Sequence, residues 1–365
     1  MKTWITLIIL FVLMAFSGPG GSKEIAEPKV FLISLDGLRW QELFTGADPK
    51  LISNKDYVKD SASLYPKYWA DDPLERREKL LPFFWNTIAK DGQIYGNRNF
   101  NNKVNCSNQM WFSYPGYNEI LSGFADDKRI WSNRKMPNPN ETVLEFVNKQ
   151  PEFEGKVAAF CSWDVFPYII NEGRSKVYVN AGFDKSMDTP LTENEKYLNR
   201  MIDITPSPWN SVRLDAFTHE YALEYTKKHH PKLLYISYGE TDDFAHDGRY
   251  DHYLNAAHRT DAFIKEIWDF IQSDDFYKDQ TSIVITTDHG RGTEPIDSWK
   301  SHGKRIEGSD EMWIAAFGNN IEPLGEMKTE EQLYQNQVAK TVATLLGINY
   351  TNDPKPGNAI KTIIK

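Results

Sequence analysis

Cysteine is scarce in this chain of 365 residues, which contains only Cys106 and Cys161. Neither has a Cys-x-x-Cys neighbour, so the two cysteines do not resemble zinc ligands. In an exported protein they could form a disulfide, but the geometry that a disulfide requires cannot be read from sequence. Two buried free thiols are equally compatible with the sequence, so both alternatives stay open.

The chain also contains fewer basic than acidic residues. The chain has 42 Lys and Arg residues against 51 Asp and Glu residues, which gives a formal net charge of −9, and no run is rich in Lys or Arg. Nucleic-acid binding proteins derive much of their affinity from clustered basic side chains. We therefore expect no nucleic-acid binding.

Only the N-terminus carries a long apolar run. Residues 1–20 contain Lys2, an apolar stretch from Trp4 to Phe16 and small residues after it. This pattern is typical of a secretory signal peptide and is short for a membrane span. We predict an exported protein, periplasmic or secreted, with no membrane span after removal of the signal; an uncleaved anchor is the alternative.

Short apolar runs rich in β-branched residues alternate with helical patterns in the rest of the chain. Such runs are typical of buried strands of a parallel sheet. The three clearest are residues 30–35, 233–238 and 283–287, and helices are predicted at 81–91, 142–149, 216–229, 253–272 and 330–346. The alternation predicts an α/β fold with a doubly wound, mostly parallel sheet sandwiched by helices. We expect residues 28–365 to form a single domain with loop insertions near 48–74 and 185–212.

Metal-ligand residue types follow the three strands. Ligands in open α/β sheets collect beyond the carboxyl ends of the strands, so these side chains can converge on one crevice. Three carboxylates and three imidazoles suit zinc or a similar transition metal better than magnesium or calcium. Taken singly, each is also compatible with a helix cap, a turn or an i,i+4 pair on a helix surface. The candidates are Asp36, Asp242, His246, Asp288, His289 and His302.

A candidate nucleophile lies in the segment SYPGYNEILSG, which begins at Ser113. Gly and Pro just after Ser113 favour a turn before a helix. A hydroxyl at a helix N-terminus meets backbone N–H groups that help to bind an anion, and a bound metal ion would lower its pKa. Taken alone, a serine at this position is usually only a helix cap.

The order of these motifs resembles that of the alkaline phosphatase superfamily, particularly its nucleotide pyrophosphatase/phosphodiesterase-like branch, over residues 28–320. The resemblance implies an alkaline phosphatase-like fold and a nucleophile at Ser113 that becomes covalently phosphorylated. It also implies two Zn²⁺ or similar divalent ions. Asn133 is similar to the family's phosphate-contacting Asn; alternatively, Asn133 only caps a loop. By this resemblance one metal has the ligands Asp36, Ser113, Asp288 and His289, and the other has Asp242, His246 and His302.

The implied activity is hydrolysis of small-molecule phosphate esters, because two cations can hold the attacking and leaving oxygens together. Sulfatases of this superfamily carry a C/S-x-P-x-R motif. Residues 113–117 match its Ser and Pro positions, but Tyr117 stands at the position of the required Arg. Monoesterases of one branch carry a Ser-x-Lys-x-Arg-like segment, whose bases reach the extra charge of a terminal phosphate. The comparable residues here, 162–166, contain neither Lys nor Arg. Arg134, Arg174 or Lys176 could substitute for them. We therefore favour a diester or pyrophosphate substrate, whose second substituent could rest on nearby aromatics. These are Trp111, Phe112, Tyr114, Tyr117, Trp163 and Phe166.

Four other functions are compatible with the motifs. An alkaline phosphomonoesterase is the nearest alternative, and a sulfatase is weaker. A phosphomutase is disfavoured because mutases are usually cytosolic. A catalytically inactive, zinc-stabilised binding protein is disfavoured because every expected ligand type and a hydroxyl are present. The sequence predicts no oligomeric state.

Overall fold

A computed structural model describes residues 27–364, so the predicted signal segment 1–20 lies outside the described residues. The strands form one large sheet of eight strands and a small sheet of three. Within the described residues, no helix has the length and apolarity needed to cross a bilayer. The strands are β1 (Lys29–Leu35), β2 (Gly92–Tyr95), β3 (Asn102–Asn105), β4 (Val157–Cys161), β5 (Tyr178–Ala181), β6 (Leu233–Tyr238), β7 (Thr281–Thr286), β8 (Glu311–Met312), β9 (Ile314–Gly318), β10 (Gly325–Glu326) and β11 (Glu331–Tyr334).

The helices flank the large sheet or connect its strands. Besides them, Phe84–Ile88 forms a π-helical turn, and three short 3₁₀ turns occur at Arg98–Phe100, Ile296–Lys300 and Gln335–Gln337. The α-helices are α1 (Trp40–Thr45), α2 (Pro49–Ile52), α3 (Ser61–Tyr68), α4 (Pro73–Leu80), α5 (Ala89–Asp91), α6 (Ser113–Ser122), α7 (Val143–Asn148), α8 (Phe166–Ile169), α9 (Glu172–Ser175), α10 (Glu193–Ile204), α11 (Asp215–His229), α12 (Glu240–His246), α13 (Tyr250–Ser273) and α14 (Val338–Leu345).

The large sheet is mostly parallel, as the sequence predicts. Its order is β10-β2-β9-β7-β1-β6-β4-β5, and only β9 runs against its neighbours. Strand β1 is central and pairs in parallel with β6 on one side and β7 on the other. The fold class is therefore confirmed, and the three strands that precede the candidate ligands are adjacent.

Both faces of the sheet are covered. In β1, Phe31 and Ile33 belong to one apolar cluster while Val30 and Leu32 belong to a second cluster on the opposite face. This explains why the sequence of β1 is apolar at nearly every position instead of alternating. Helices α1 and α13 contribute to the first cluster, and helices α6, α7 and α14 to the second. The sheet is thus the middle of three layers.

Several predicted segments differ in the structure. Region 48–74 is not an irregular loop: Asp48, Asp60 and Asp72 each accept backbone N–H groups and cap the helices α2, α3 and α4. Region 185–212 contains α10, which begins with a capping box formed by Thr192 and Glu195. The predicted final helix 330–346 is wrong in its first part, because residues 331–334 pair with β3 as β11. The predicted helix at 81–91 is helical from residue 82, with a π-helical turn at Phe84–Ile88.

Candidate metal centre and nucleophile

The three strand ends meet at one edge of the sheet. Ser34 of β1 is in register with Ser237 of β6 and with Thr286 of β7. Asp36 follows β1 by one residue, helix α12 starts two residues after β6, and Asp288 lies two residues beyond β7. Parallel pairing therefore places the three ligand-bearing segments side by side.

The first ligand group consists of Asp36, Asp288 and His289, whose donor atoms all lie within 4.8 Å of one another. His289 Nε2 is 3.3 Å from Asp36 Oδ1 and 3.4 Å from Asp288 Oδ2. Neither of these two buried carboxylate oxygens has a hydrogen-bond partner. His289 Nδ1 is 2.9 Å from the carbonyl oxygen of Gly290, which holds the proton on Nδ1 and leaves Nε2 free to bind a metal. This donor set fits a divalent transition metal.

The second ligand group consists of Asp242, His246 and His302. Asp242 and His246 are one turn apart on α12, and His246 Nε2 is 3.1 Å from Asp242 Oδ2. His302 Nε2 lies 3.0 Å from His246 Nε2 and 3.6 Å from Asp242 Oδ1. Three side chains of metal-ligand types, from α12 and the loop after β7, therefore lie close together.

His289 connects the two groups. Its ring stacks on that of His302 with centroids 3.9 Å apart, and its Nε2 also lies 3.8 Å from Asp242 Oδ1. The donor atoms of Asp242, His289 and His302 form a second set within 4.8 Å. The two candidate metal positions are thus immediate neighbours, and His289 is within reach of both.

Ser113 is brought to this centre by α6, of which it is the first residue. Its Oγ lies 3.4 Å from His289 Nε2. The loop before the helix is fixed by the buried Glu119 carboxylate, which accepts the backbone N–H groups of Ser107 and Asn108, each at 2.8 Å. Gly116 permits the helix to approach β7, since a Cβ there would lie 2.3 Å from the Asp288 carbonyl oxygen.

The start of α6 offers fewer free N–H groups than the sequence suggests. The backbone N–H of Tyr114 donates to Asn133 Oδ1 at 3.0 Å, and Pro115 has no N–H. Asn133 therefore acts as a cap for this helix, and it also lies beside the nucleophile. Because its Oδ1 accepts from Tyr114, its Nδ2 is the group that can donate to an anion. The cap and the phosphate contact are compatible roles.

The ligands are held by neighbouring polar groups. Tyr117 donates its hydroxyl to Asp36 Oδ2 at 2.9 Å, and the Gly37 N–H donates to Asp288 Oδ1 at 3.1 Å. Each carboxylate therefore has one oxygen bound by the protein and one oxygen without a partner, which is oriented for a cation.

The clustered charges perturb the pKa values of the metal-free centre. Burial raises the pKa of Asp288 well above its usual range, and the charge of Asp36 adds to this. Burial and the charge of Asp242 likewise raise the pKa of Asp36. Burial would lower the pKa of His289, but the charges of Asp288 and Asp36 prevail and raise it to about 9. The raised pKa values of Asp36 and Asp288 mean that the charge of His289 alone does not balance the buried carboxylates, and a divalent cation would provide the additional positive charge.

Arg291 is part of the centre although the sequence pattern predicts no role for it. Its side chain is fully buried, and its Nη1 contacts Asp242 Oδ1. Burial alone would raise the pKa of Asp242, but the Arg291 guanidinium, followed by His246 and His302, holds that pKa well below its usual range. The signal was present in the sequence, because a basic residue directly follows the Asp288-His289-Gly290 step.

A pocket of about 690 Å³ lies beyond the ends of β4 and β5. It is lined by Lys135, whose Nζ is 2.7 Å from Asp164 Oδ2, and by the acidic residues Glu172 and Asp184. Lys135 was also missed, although it follows Asn133 by two residues. Met136 lies between the lining residues Lys135 and Pro137, and its carbonyl oxygen accepts a hydrogen bond of 2.6 Å from the hydroxyl of Tyr114, the residue that follows Ser113.

Other sequence candidates have structural roles. Arg174 is bound to Glu145 and to backbone carbonyl oxygens of residues 138–140, so it is not available as a substrate clamp. Tyr114, Tyr117 and Phe166 are buried in the core and do not form an open aromatic wall. Cys106 and Cys161 are both buried free thiols.

Comparison with known proteins supports the fold. Residues 208–306 match the family model described as the Metalloenzyme superfamily. This segment contains five of the ligand candidates, namely Asp242, His246, Asp288, His289 and His302. No curated protein matches the sequence significantly.

Three solved structures illustrate the similarity. The alkaline phosphatase PafA shares 11% sequence identity with a TM-score of 0.60, covering 93% of this chain and 99% of its own. The lipoteichoic acid synthase LtaP from Listeria monocytogenes shares 12% identity with a TM-score of 0.57, covering 93% of this chain and 76% of its own. The phosphonate monoester hydrolase SpPMH from Silicibacter pomeroyi shares 13% identity with a TM-score of 0.54, covering 92% of this chain and 76% of its own. The chain thus has an alkaline phosphatase-like fold, and its segment 208–306 is similar to the Metalloenzyme superfamily.

Proposed function

We propose that this protein is a metal-dependent phosphoesterase that hydrolyses phosphate esters through a covalent phospho-Ser113 intermediate. The observation that carries the proposal is the position of the Ser113 hydroxyl, whose Oγ lies 3.4 Å from His289 Nε2, a nitrogen of the first ligand group that also lies 3.8 Å from Asp242 Oδ1 of the second. A hydroxyl at this junction is placed to attack a phosphoryl group bound between the two groups.

Two zinc-type ions fit the donor set. Asp36, Asp288, His289 and the Ser113 hydroxyl would hold one ion, and Asp242, His246 and His302 would hold the other. When bound, such ions would neutralise phosphoryl charge and lower the pKa of the hydroxyl. The partnerless oxygens of Asp36 and Asp288 support the first position, and the converging His246 and His302 nitrogens support the second.

The residues of the chain have distinct roles in this proposal. Ser113 Oγ forms a bond to phosphorus while the bond to the leaving oxygen breaks, and the leaving oxygen keeps the electron pair and takes up a proton. Asn133 Nδ2 donates to a phosphoryl oxygen, because its Oδ1 already accepts from Tyr114. Water then attacks phosphorus, which releases phosphate or a phosphate monoester and restores the Ser113 hydroxyl.

We favour a diester or pyrophosphate substrate, as in the nucleotide pyrophosphatase/phosphodiesterase-like branch. The large pocket beside Tyr114 provides room for a second substituent. Its one cation, Lys135, is paired with Asp164, and Glu172 and Asp184 add negative charge. This lining does not favour the additional charge of a terminal phosphate.

Monoester hydrolysis is the second candidate, and Lys135 is the observation that favours it. The Lys135 side chain lines the pocket and could exchange Asp164 for a phosphate oxygen. Sulfatase activity has less support, because Tyr117 occupies the position where the sulfatase motif requires Arg and donates to Asp36.

The test is a parallel assay of an aryl monophosphate, a bis-aryl phosphate and an aryl sulfate on zinc-loaded protein. We expect the highest kcat/KM for the bis-aryl phosphate, detectable hydrolysis of the monophosphate and little of the sulfate. Preference for the monophosphate by about 100-fold, or about 2.7 kcal/mol in transition-state free energy, would contradict the diester assignment. Hydrolysis of the sulfate alone would contradict the phosphoesterase assignment.

Export is a further part of the proposal and depends on the sequence of residues 1–20 alone. Expression of the full chain with a reporter at its C-terminus tests it. We expect the reporter outside the cytoplasm and a mature N-terminus beyond residue 16.

A further inference from the structure

We propose that Arg291 makes the Asp242–His246–His302 position the weaker of the two metal positions, so that the ions load in order. The Asp36–Asp288–His289 position, whose two carboxylates pair with His289 and with no arginine or lysine, fills first. This inference rests on the two-metal centre of the proposed function, but it concerns metal affinity and not turnover.

The Arg291 guanidinium is fixed on all sides. Its Nε donates to the Trp299 carbonyl oxygen at 2.8 Å and its Nη2 donates to the Lys300 carbonyl oxygen at 2.6 Å. Its Nη1 contacts Asp242 Oδ1 and lies so close to Gly37 that a Cβ on that glycine would be 2.8 Å away. The side chain is fully buried. It therefore cannot swing out of the site without leaving two buried carbonyl groups unpaired.

The contact has a direct effect on Asp242 as a ligand. One carboxylate oxygen of Asp242 is shared with the guanidinium, so the other, 3.1 Å from His246 Nε2, is the oxygen left for a metal. A monodentate carboxylate that already carries a positive partner is a weaker ligand for a dication than a free one. The fixed charge also repels a dication at this position, and burial leaves this repulsion only weakly screened.

The other position differs in both charge and accessibility. Asp36 Oδ1 and Asp288 Oδ2 make no hydrogen bond and lie 3.3 and 3.4 Å from His289 Nε2, the third ligand atom of the group, so a metal ion there meets two carboxyl oxygens that no arginine shares. The side chains of Asp288 and His289 are fully buried, whereas that of His246 is 45% exposed. Water therefore has easier access to the Arg291 side of the centre, which favours exchange of the ion there.

Zinc titration of chelator-stripped protein tests the proposal, with free zinc set by a competing chromophoric chelator. Wild-type protein should bind two ions in two steps whose dissociation constants differ by at least about tenfold. His246→Ala should remove the weaker step and leave the tighter step unchanged, which assigns the weak position. Equal affinities in the wild-type protein, or loss of the tighter step in His246→Ala, would overturn the order of loading.

Substitutions of Arg291 separate charge from packing. Arg291→Gln and Arg291→Met remove the charge and its repulsion of a dication, and we expect each to tighten the weaker step by about tenfold or more. Arg291→Lys keeps the charge and should leave that step weak. Arg129→Gln, at an exposed arginine paired with Asp126, is the matched control and should change neither step. Two neutral variants provide a second measurement if one of them fails to fold.

The outcomes distinguish this inference from the proposed function. If Arg291→Gln or Arg291→Met weakens the second step, Arg291 orients Asp242 and does not oppose the metal, and the inference is wrong. If wild-type protein binds no zinc in either step, the two-metal function itself fails.

Discussion

The Tyr117 hydroxyl donates a hydrogen bond of 2.9 Å to Asp36 Oδ2. Tyr117 lies one turn after Ser113 on α6, and Asp36 lies just beyond the central strand β1. The same helix therefore carries the candidate nucleophile and fixes a candidate metal ligand that comes from a distant part of the sequence. Any movement of α6 relative to the sheet would disturb both.

The first prediction concerns the Tyr117–Asp36 hydrogen bond. Tyr117→Phe removes it and leaves Asp36 free to rotate, so metal affinity should fall about 10- to 100-fold. The cost in the free energy of unfolding of the metal-free protein should be only about 1 kcal/mol. Chelator competition and urea unfolding measure the two effects. Tyr114→Phe is the matched control, since that hydroxyl donates to the Met136 carbonyl oxygen and to no ligand. An equal loss of metal affinity in both variants would refute the orienting role.

The second prediction concerns metal content. Protein purified without chelator should contain close to two zinc-type ions per chain by elemental analysis. Chelator should abolish hydrolysis of phosphate esters, and zinc should restore it. A single calcium ion without zinc would contradict the proposed centre, because three imidazoles are poor calcium ligands.

The third prediction concerns the nucleophile. Ser113→Ala should lower kcat by at least about 1,000-fold, because a covalent step loses its attacking group. Zinc content and melting temperature should stay close to those of the wild-type protein. A phosphorylated intermediate trapped in acid should map to the Ser113 peptide of the wild-type protein. Ser61→Ala, at an exposed helix start, should keep full activity. Turnover of Ser113→Ala near the wild-type rate would exclude the covalent mechanism.

The fourth prediction concerns the contact between α6 and β7. In Gly116→Ala the new methyl group would lie 2.3 Å from the Asp288 carbonyl oxygen, so the helix must move away from the sheet. We expect a loss of about 1–3 kcal/mol in the free energy of unfolding together with a large loss of activity. Gly173→Ala is the control for stability, because nothing lies within 4 Å of its added methyl group. Wild-type stability and activity of Gly116→Ala would show that α6 tolerates the shift.

The fifth prediction concerns Lys135. If the pocket accepts the second substituent of a diester, Lys135→Ala should change kcat/KM for the bis-aryl phosphate and the aryl monophosphate by similar small factors. If Lys135 instead binds a terminal phosphate, the variant should lose monophosphate hydrolysis selectively, by about 10-fold or more. Lys128→Ala, outside the pocket, serves as the reference variant. The ratio of the two kcat/KM values is the measurement.

Much of the fold was predictable because the strands are buried on both faces. Strands β1, β6 and β7 appear in the sequence as short apolar runs, and each is followed by a polar residue that can serve as a ligand. The N-termini of α2, α3 and α4 carry Asp caps that are visible in the sequence, but the polar composition of residues 48–74 favours the prediction of a loop. The β11 strand was read as helix because its pairing with β3 is a tertiary contact.

The sequence by itself determined the ligand types, their order along the chain and the hydroxyl before a helix, since these depend on residue chemistry and local pattern. Only the tertiary structure decided which side chains compete for the same partner. It placed Arg291 on Asp242, Arg174 on Glu145, and His289 between the two ligand groups. The physical reason is that charge pairing inside a protein depends on distances between segments far apart in sequence, which local pattern does not encode.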